Sequence, residues 1–378
     1  MKNYFLTLLM LFSLTTYAQQ TINDSIFHNG IYRTYILYVP AVYSASNPVP
    51  LVLNFHGYTS NSTAQMFYGD FRPIADTANF IVVHPMGTLD GNNQPYWNSG
   101  WGGTVDDIGF TAALIDSLSA QYNINQSRVY STGMSNGGFM SYTLACSLSN
   151  RIAAIASVTG TMNANQSLSC NPQHPMPVME IHGTADGTVP YNGAAGMSSI
   201  SNTLNYWTTF NQTDVQPIFN NVPNINLFDG CTAEHYVYKN GTNGVEVEHY
   251  KIIDGAHTWP GAPVVVGVTN YDINASEKIW QFFAKYDING EIISTNINDE
   301  LKNSSEISIF PNPSSRFLYI NSSEKINAPI KIYNVTGKLI KIIASNQTEI
   351  DLTALEKGIY FIQFTQNKKI TTKKFIKN

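Results

Sequence analysis

The stretch RVYSTGMSNGGFMSYTLAC, residues 128–146, runs from a β-branched and aromatic strand pattern, through Gly133-Met134-Ser135-Asn136-Gly137, into a helical pattern. A G-x-S-x-G between a strand and a helix needs a turn so tight that glycines must flank the serine, whose hydroxyl is then held up at the C-terminal edge of a sheet. Ser135 is therefore the candidate nucleophile. In a chain with 26 glycines the bare motif is weak; its weight comes from the strand before it and the helix after it.

Outward from this turn, residues 31 to about 286 alternate short β-branched runs with longer helical patterns, the signal of a mostly parallel sheet covered by helices. The expected strands are 31–39, 51–55, 80–84, 128–132, 153–158, 177–182 and 245–253. Runs such as LVLNF and IVVHP are continuously apolar, as strands buried on both faces are. Ile108, Ala112, Ile115, Leu118 and Tyr122 recur at helical spacing and predict a helix over 106–122. Asp106 and Asp107 fall in its first turn, where carboxylates cap the helix and compensate its dipole. A further helical pattern spans 275–287.

The polar stretch 288–306, rich in Asn and Ser, reads as a linker. Beyond it, alternating strands separated by turns such as Asn334-Val335-Thr336-Gly337 predict a small antiparallel all-β sandwich over 307–378. Charge divides the same way, with 8 basic against 19 acidic residues between 19 and 296 and 12 against 7 afterwards. The net charge of -5 gives no reason to expect nucleic acid or an anionic membrane as partner. Lys2, the apolar run from Tyr4 to Leu14 and the small residues Thr16 and Ala18 have the order of a cleavable export signal over residues 1–18. No stretch is long and apolar enough to span a bilayer in the mature chain. Export permits disulfides. Of Cys146, Cys170 and Cys231, the first two are the expected pair, since 24 residues can leave a helix and return beside it; Cys231, in a polar stretch, is the odd one.

A serine needs a base to take its proton and a carboxylate to orient that base. In the chain order nucleophile, acid, base, the strand PVMEIHG is followed by Asp186, and the strand EVEHYKII by Asp254-Gly255-Ala256-His257. Asp186 is the candidate acid and His257 the candidate base. Asp254 is the rival acid, though its closeness to His257 along the chain makes an orienting geometry harder. His182 and His249 lie inside expected strands and read as structural, and His56 as a loop-fixing side chain. Charge developing on a carbonyl oxygen requires fixed N–H donors, which His56-Gly57-Tyr58 could supply from Tyr58 and the nucleophile turn from Asn136. Trp97, Trp101 and Trp259, in loops, are candidate substrate-binding rings for a sugar or phenol. No Walker loop, Cys-x-x-Cys pair or His-Glu-x-x-His is present, so neither a metal nor a cofactor is expected.

Taken together, LVLNFHGY, YWNSGW, VDDIGF, YNINQSRVYSTGMSNGGFMSYTLAC, HGTADGTVPY and GAHTWPG resemble the polyhydroxybutyrate depolymerase and feruloyl esterase group of α/β-hydrolases, overlapping carbohydrate esterase family one, over residues 25–287. The resemblance implies an α/β-hydrolase catalytic domain over 19–287, with the nucleophile at Ser135, the acid at Asp186, the base at His257 and the oxyanion donors at Tyr58 and Asn136. Members of the group often carry a second disulfide from a cysteine just after Trp207-x-x-x-Asn211; here position 212 is Gln. Phe310-Pro311-Asn312-Pro313, Tyr333 to Lys338, Gly358-Ile359-Tyr360 and the terminal KKFIKN resemble the type A sorting domain of the type IX secretion system of Bacteroidota. That resemblance implies the outer-membrane secretion machinery as a partner and a secreted or surface-attached product that crosses the periplasm.

The expected activity is a secreted serine carboxylesterase that hydrolyses feruloyl or acetyl esters of plant cell-wall polysaccharide through an acyl-enzyme, with a polymeric or oligomeric ester as substrate. The alternatives are a polyhydroxybutyrate or polyester depolymerase, and an inactive surface glycan-binding protein on a hydrolase scaffold. A peptidase of the same fold is a further one.

Overall fold

The computed structural model describes residues 19–292, 307–322, 326, 328–345, 347–366 and 369–378. The expected export signal and residues 293–306 of the expected linker lie outside the described residues. The chain divides into two compact units, up to Ile292 and from Ile293 onward.

The first unit is a ten-stranded sheet. Its strands are β1 (Gln20–His28), β2 (Ile31–Val39), β3 (Val49–Phe55), β4 (Ile81–Pro85), β7 (Ile124–Met134), β8 (Ala154–Val158), β9 (Val178–Gly183), β10 (Ile218–Asn221), β11 (Thr232–Tyr238) and β12 (Val247–Ile253). β5 (Thr88–Leu89) and β6 (Pro95–Tyr96) form a separate short hairpin. The order β1-β2-β4-β3-β7-β8-β9-β12-β11-β10 places six parallel strands in the centre, with antiparallel pairs at both edges. All seven expected strands lie within this sheet. β1, β10 and β11 were not expected: they are edge or near-edge strands with exposed polar residues, QTINDSIFH, IFNN and TAEHYVY, and lack the apolar runs that mark buried strands.

Side-chain alternation builds a layer on each face of the sheet. Leu51, Leu53 and Phe55 of β3 enter the core with helices α3 (Asp107–Gln121), α4 (Asn136–Ser147) and α5 (Ile200–Asn211), whereas Val52 enters the opposite one. That opposite core is closed by Phe71, by Ala75 of α2 (Arg72–Ala78) and by Ile279, Phe282 and Phe283 of α6 (Ala275–Phe283). A shorter helix, α1 (Ser62–Tyr68), precedes α2. The last helix stops at Phe283, short of the expected 287, because Tyr286–Asp287 pairs with Gly290–Glu291. Regular structure thus enters the stretch read as linker.

Asp106 caps α3 as expected, its carboxylate accepting from the Gly109 N–H at 2.7 Å. Asp107 does something else. It is fully buried, receives Arg33 of β2 at 2.6 Å on one oxygen and the Asn98 N–H at 2.7 Å on the other. Arg33 in turn lies over the Phe110 ring at 4.0 Å. This pair joins β2, α3 and the loop before α3.

In the second unit two antiparallel sheets enclose one core. Ile307–Phe310, Phe317–Ser322 and Glu349–Asp351 form one, and Leu339–Ile343, Ile330–Asn334, Gly358–Gln366 and Lys369–Lys377 the other. Leu318, Ile332, Ile350, Ile362, Phe364 and Phe375 fill it.

Three buried histidines of the first unit are held neutral, all mainly because burial disfavours the charged ring. His56 is pushed down to about 4, and His84 and His249 to about 3. His249 donates from Nδ1 to the Glu180 carbonyl and accepts from Tyr191 O–H, but neither His84 nitrogen has a partner among the described residues.

Asp107→Leu leaves Arg33 buried without its countercharge and should lower the free energy of urea unfolding by about 3–5 kcal/mol. Because the folded-state values of the three histidines lie below their ordinary 6.5, their stabilising contribution is complete above 6.5 and is lost as pH falls through about 4 to 3. For His56 the full loss amounts to about 3 kcal/mol. His84→Leu should match or exceed the parent in stability near neutral pH and show a flatter decline on acidification, read from unfolding curves across that range.

Candidate active site

The turn after β7 forces two chain segments into backbone contact. A Cβ on Gly133 would stand 2.5 Å from the Phe55 carbonyl oxygen, and one on Gly137 2.2 Å from the same atom, so both positions exclude any side chain. Ser135 takes φ 54° and ψ -119°, a region costly for a non-glycine residue, and is anchored by its N–H on Val158 O at 2.8 Å. Its hydroxyl is thereby carried up where β7 ends and α4 begins.

The loops that carry Asp186 and His257 are knitted together. Ala185 N–H donates to Gly255 O at 3.0 Å, and Asp254 N–H to Thr184 Oγ1 at 2.8 Å. His257 Nδ1 then meets Asp186 Oδ2 at 2.7 Å, while Asp186 Oδ1 accepts the Thr188 and Val189 N–H groups, each at 2.8 Å. Burial would raise the Asp186 carboxyl, but the bonds from His182 and His257 outweigh it and hold the group well below the usual carboxylate range. Asp254 is exposed and takes no part in this contact. Ser135 and His257 line one cleft, with no hydrogen bond between them among the described residues.

Behind Asp186 runs a buried polar chain. Tyr142 O–H donates to Glu180 Oε2 at 2.7 Å, Glu180 Oε1 meets His182 Nδ1 at 2.9 Å, and His182 Nε2 lies 2.8 Å from Val189 O and 3.4 Å from Asp186 Oδ2. A carbonyl can only accept, so Nε2 carries a proton. Burial works against a charged ring, yet the facing Asp186 and Glu180 carboxylates lift His182 to about 9. His182, read as structural, is thus also the neighbour that keeps Asp186 ionised. Glu180 went unremarked in the sequence, since a Glu inside an apolar strand gives no sign of its partners.

Gly57 abuts the serine, a Cβ there falling 3.4 Å from Ser135 Cβ, and Tyr58 comes directly after it. The turn is fixed by His56, whose Nδ1 donates to Gly57 O at 2.7 Å and whose Nε2 accepts from Gly87 N–H at 2.9 Å. Tyr58 O–H reaches Asp90 at 2.8 Å. The Asn136 amide N–H is at the first position of α4, where a helix leaves it without an intrahelical acceptor. The Asn136 side chain has a second task that its position after the serine did not reveal: Oδ1 accepts from Trp97 N–H at 2.7 Å, and Nδ2 donates to Trp97 O and Ser99 Oγ at 3.1 Å.

Of the three tryptophans, only Trp101 offers a free ring. It is 57% exposed and packs edge-on against Phe139 of α4 at 5.3 Å. The other two expectations are corrected. Trp97 is 1% exposed, its Nε1–H on His56 O at 3.0 Å and its ring against Phe55 and His56. Trp259, also 1% exposed, donates to Ser276 Oγ at 3.2 Å and covers Gly69 and Phe71. Both are loop anchors with almost no ring surface open to a ligand, although Trp97 borders the cleft beside Ser135.

Two clefts meet at Ser135 and Tyr58. One, of about 470 Å³, is walled by Phe67, Tyr68, Met134, Val264 and Val266 beside His257. The other, of about 590 Å³, runs past Asn136, Tyr96 and Phe139 to Trp101. Cys146 and Cys170 form the expected disulfide. Cys231 is free and buried, and Gln212 ends α5 in a left-handed conformation. Among the described residues no group of three or more His, Cys, Asp or Glu side chains could hold a metal, and no helix is long and apolar enough to cross a membrane.

Comparison with known proteins agrees with this architecture. Residues 39–218 match the family described as Phospholipase/Carboxylesterase, and residues 308–378 the Secretion system C-terminal sorting domain. The chain is 27% identical over 273 residues to a bifunctional acetylxylan esterase/xylanase of Neocallimastix patriciarum, covering 72% of this chain and 36% of that protein. It is 32% identical over 186 residues to a probable feruloyl esterase C of Aspergillus clavatus, covering 47% of this chain and 62% of that one. The matched segment thus spans between about a third and two thirds of these relatives. Among solved structures, an acetyl xylan esterase from Aspergillus awamori superposes with a TM-score of 0.51 at 15% identity, over 71% of this chain and 99% of that one, which speaks for the fold. The chain thus has an α/β-hydrolase fold whose residues 39–218 match the phospholipase/carboxylesterase family, followed by residues 308–378 that match the secretion system C-terminal sorting domain.

Proposed function

We propose that this protein is an exported serine carboxylesterase that cleaves feruloyl or acetyl esters of plant cell-wall polysaccharide through an acyl-enzyme. The observation that carries the reading is the 2.7 Å contact of His257 Nδ1 with Asp186, at a cleft shared with Ser135 on its strained turn. With Nδ1–H donated to Asp186, His257 Nε2 is the nitrogen left to accept the Ser135 proton. Ser135 Oγ then attacks the ester carbonyl, the Tyr58 and Asn136 N–H groups bear the developing oxyanion charge, and His257 returns the proton to the departing alcohol. Water repeats the cycle on the acyl-enzyme and frees the acid. The names of the relatives, the exposed Trp101 and the sorting domain support the substrate and the export. Passage through the periplasm is inferred from the expected leader together with that domain.

A second reading, hydrolysis of a polyhydroxyalkanoate, is favoured by one feature. Val264, Val265, Val266 and Phe67 are all exposed, and Val264, Val266 and Phe67 border the apolar cleft, a rim suited to a hydrophobic polymer.

Turnover of p-nitrophenyl acetate, methyl ferulate and a hydroxybutyrate oligomer by the purified protein separates these readings. Ser135→Ala should lower kcat/KM by about 10⁶-fold and Asp186→Asn by about 10⁴-fold. Equal residual rates in the parent and Ser135→Ala would overturn the nucleophile and favour the glycan-binding alternative. Preference for the oligomer over methyl ferulate would establish the polyester reading, and cleavage of an amide panel would point to a peptidase.

A further inference from the structure

Beyond Trp101 the Ser135 cleft does not end. It opens into a larger groove of about 900 Å³, whose lining shares Asn98, Trp101, Gly102, Gly103 and Met197 with the Ser135 cleft but touches none of Ser135, His257, Asp186, Tyr58 or Asn136. Trp101 is the ridge between them. An exposed tryptophan braced from behind by Phe139 presents a flat apolar face whose position is fixed before any ligand arrives.

The chemistry of the groove is narrow. No Asp, Glu, Lys, Arg or His lines it, although the surrounding unit is strongly acidic. Among its lining residues the larger aliphatic side chains are only Ile108 and Met197, too few for a lipid or an apolar helix. What remains is amides, hydroxyls and glycines. The Asn165 amide and Ser147 hydroxyl make no side-chain hydrogen bond among the described residues, so their donors and acceptors are available. Ser147 ends α4 itself, and the segment that carries Asn165 is tied to that helix: Cys146 of α4 is bonded to Cys170, Gln166 Nε2 donates to Thr143 Oγ1 at 3.3 Å, and Gln166 Oε1 accepts from the Asn163 N–H at 3.1 Å. The Asn163 side-chain amide donates to Ser99 O across the groove's edge. Uncharged amides and hydroxyls beside one fixed aromatic face suit a neutral polyol, whose hydroxyls both donate and accept and whose C–H faces stack on indole.

From this juxtaposition we propose that the groove beyond Trp101 is a subsite for a neutral oligosaccharide, holding the sugar chain to which the scissile ester is attached. The acyl group of that ester then occupies the valine-walled cleft on the other side of Ser135. The proposal rests on the esterase reading for its link to turnover but not for binding.

Both parts are tested with the full protein. Calorimetry on the Ser135→Ala variant, with an unsubstituted xylo-oligosaccharide as probe, should register binding that falls by about ten-fold or more in a Ser135→Ala/Ala195→Trp variant, whose indole fills the groove from an exposed wall position, and in Ser135→Ala/Trp101→Ala. With Ser135 intact, kcat/KM on a feruloylated xylo-oligosaccharide should exceed that on methyl ferulate by about ten-fold or more, and Ala195→Trp should remove the excess through KM while methyl ferulate turnover stays unchanged. Absence of binding to Ser135→Ala, binding that Ala195→Trp leaves intact, or tighter binding of an oligouronide would overturn the subsite. Loss of Ser135-dependent methyl ferulate turnover would instead sink the esterase reading, with calorimetry still reporting on the groove.

Discussion

The contact of the β7–α4 turn with the end of β3 is the constraint on which the rest of this molecule depends. Gly133 and Gly137 have no side chains because the Phe55 carbonyl occupies the space they would fill. That closeness bends the chain so sharply that Ser135 adopts a conformation most residues avoid, and it sets Gly57 and Tyr58 against the serine. The packing of α4 offsets the strain: the helix is buried on nearly all sides between β3, β7 and β8, and cannot relax without opening the core. The same helix supplies Asn136 to one side of the site and Tyr142, on its inner face, to the carboxylates behind it.

The electrostatics divide by strand. His56, His84 and His249 sit where burial dominates, and they remain neutral. His182 sits one residue beyond Ile181 on β9 between two carboxylates, and it stays charged instead. A proton fixed on its Nε2 by the Val189 carbonyl, with the backbone N–H groups of Thr188 and Val189, surrounds Asp186 with donors and leaves it one function, to receive His257 Nδ1–H. Orientation of the His257 ring is thus built into the β9 loop rather than into the loop that carries His257.

Much of this was legible in the sequence, for identifiable reasons. LVLNF and IVVHP are largely apolar because both faces are covered, the other central strands mix apolar with buried polar residues, and Ser135, Asp186 and His257 each come after a central strand at its C-terminal end. The strand pattern therefore placed these three residues at strand ends before any contact was known. β1, β10 and β11 carry no such mark, since edge strands mix polar and apolar residues. The tryptophans show the other boundary of legibility. Trp97, Trp101 and Trp259 look alike in loops, and only the tertiary contacts of His56, Ser276 and Phe139 decide which rings are spent on anchoring and which one faces outward. The twin roles of Asp107 and Asn136 were hidden likewise, as their partners Arg33 and the Trp97–Ser99 segment are distant in sequence.

An odd cysteine is a hazard to any disulfide formed during export, because a thiolate can attack the bond and exchange partners with it. Cys231 is removed from that chemistry. Burial, chiefly, pushes its thiol up to about 12, and its sulfur lies between Asp229 and Asn270 with little surface open to solvent. The Cys146–Cys170 bond can therefore be made once, in an oxidising compartment, and kept. The wall of the groove beside Trp101 therefore owes its covalent tie to oxidation, and that surface stays unlocked wherever thiols are kept reduced.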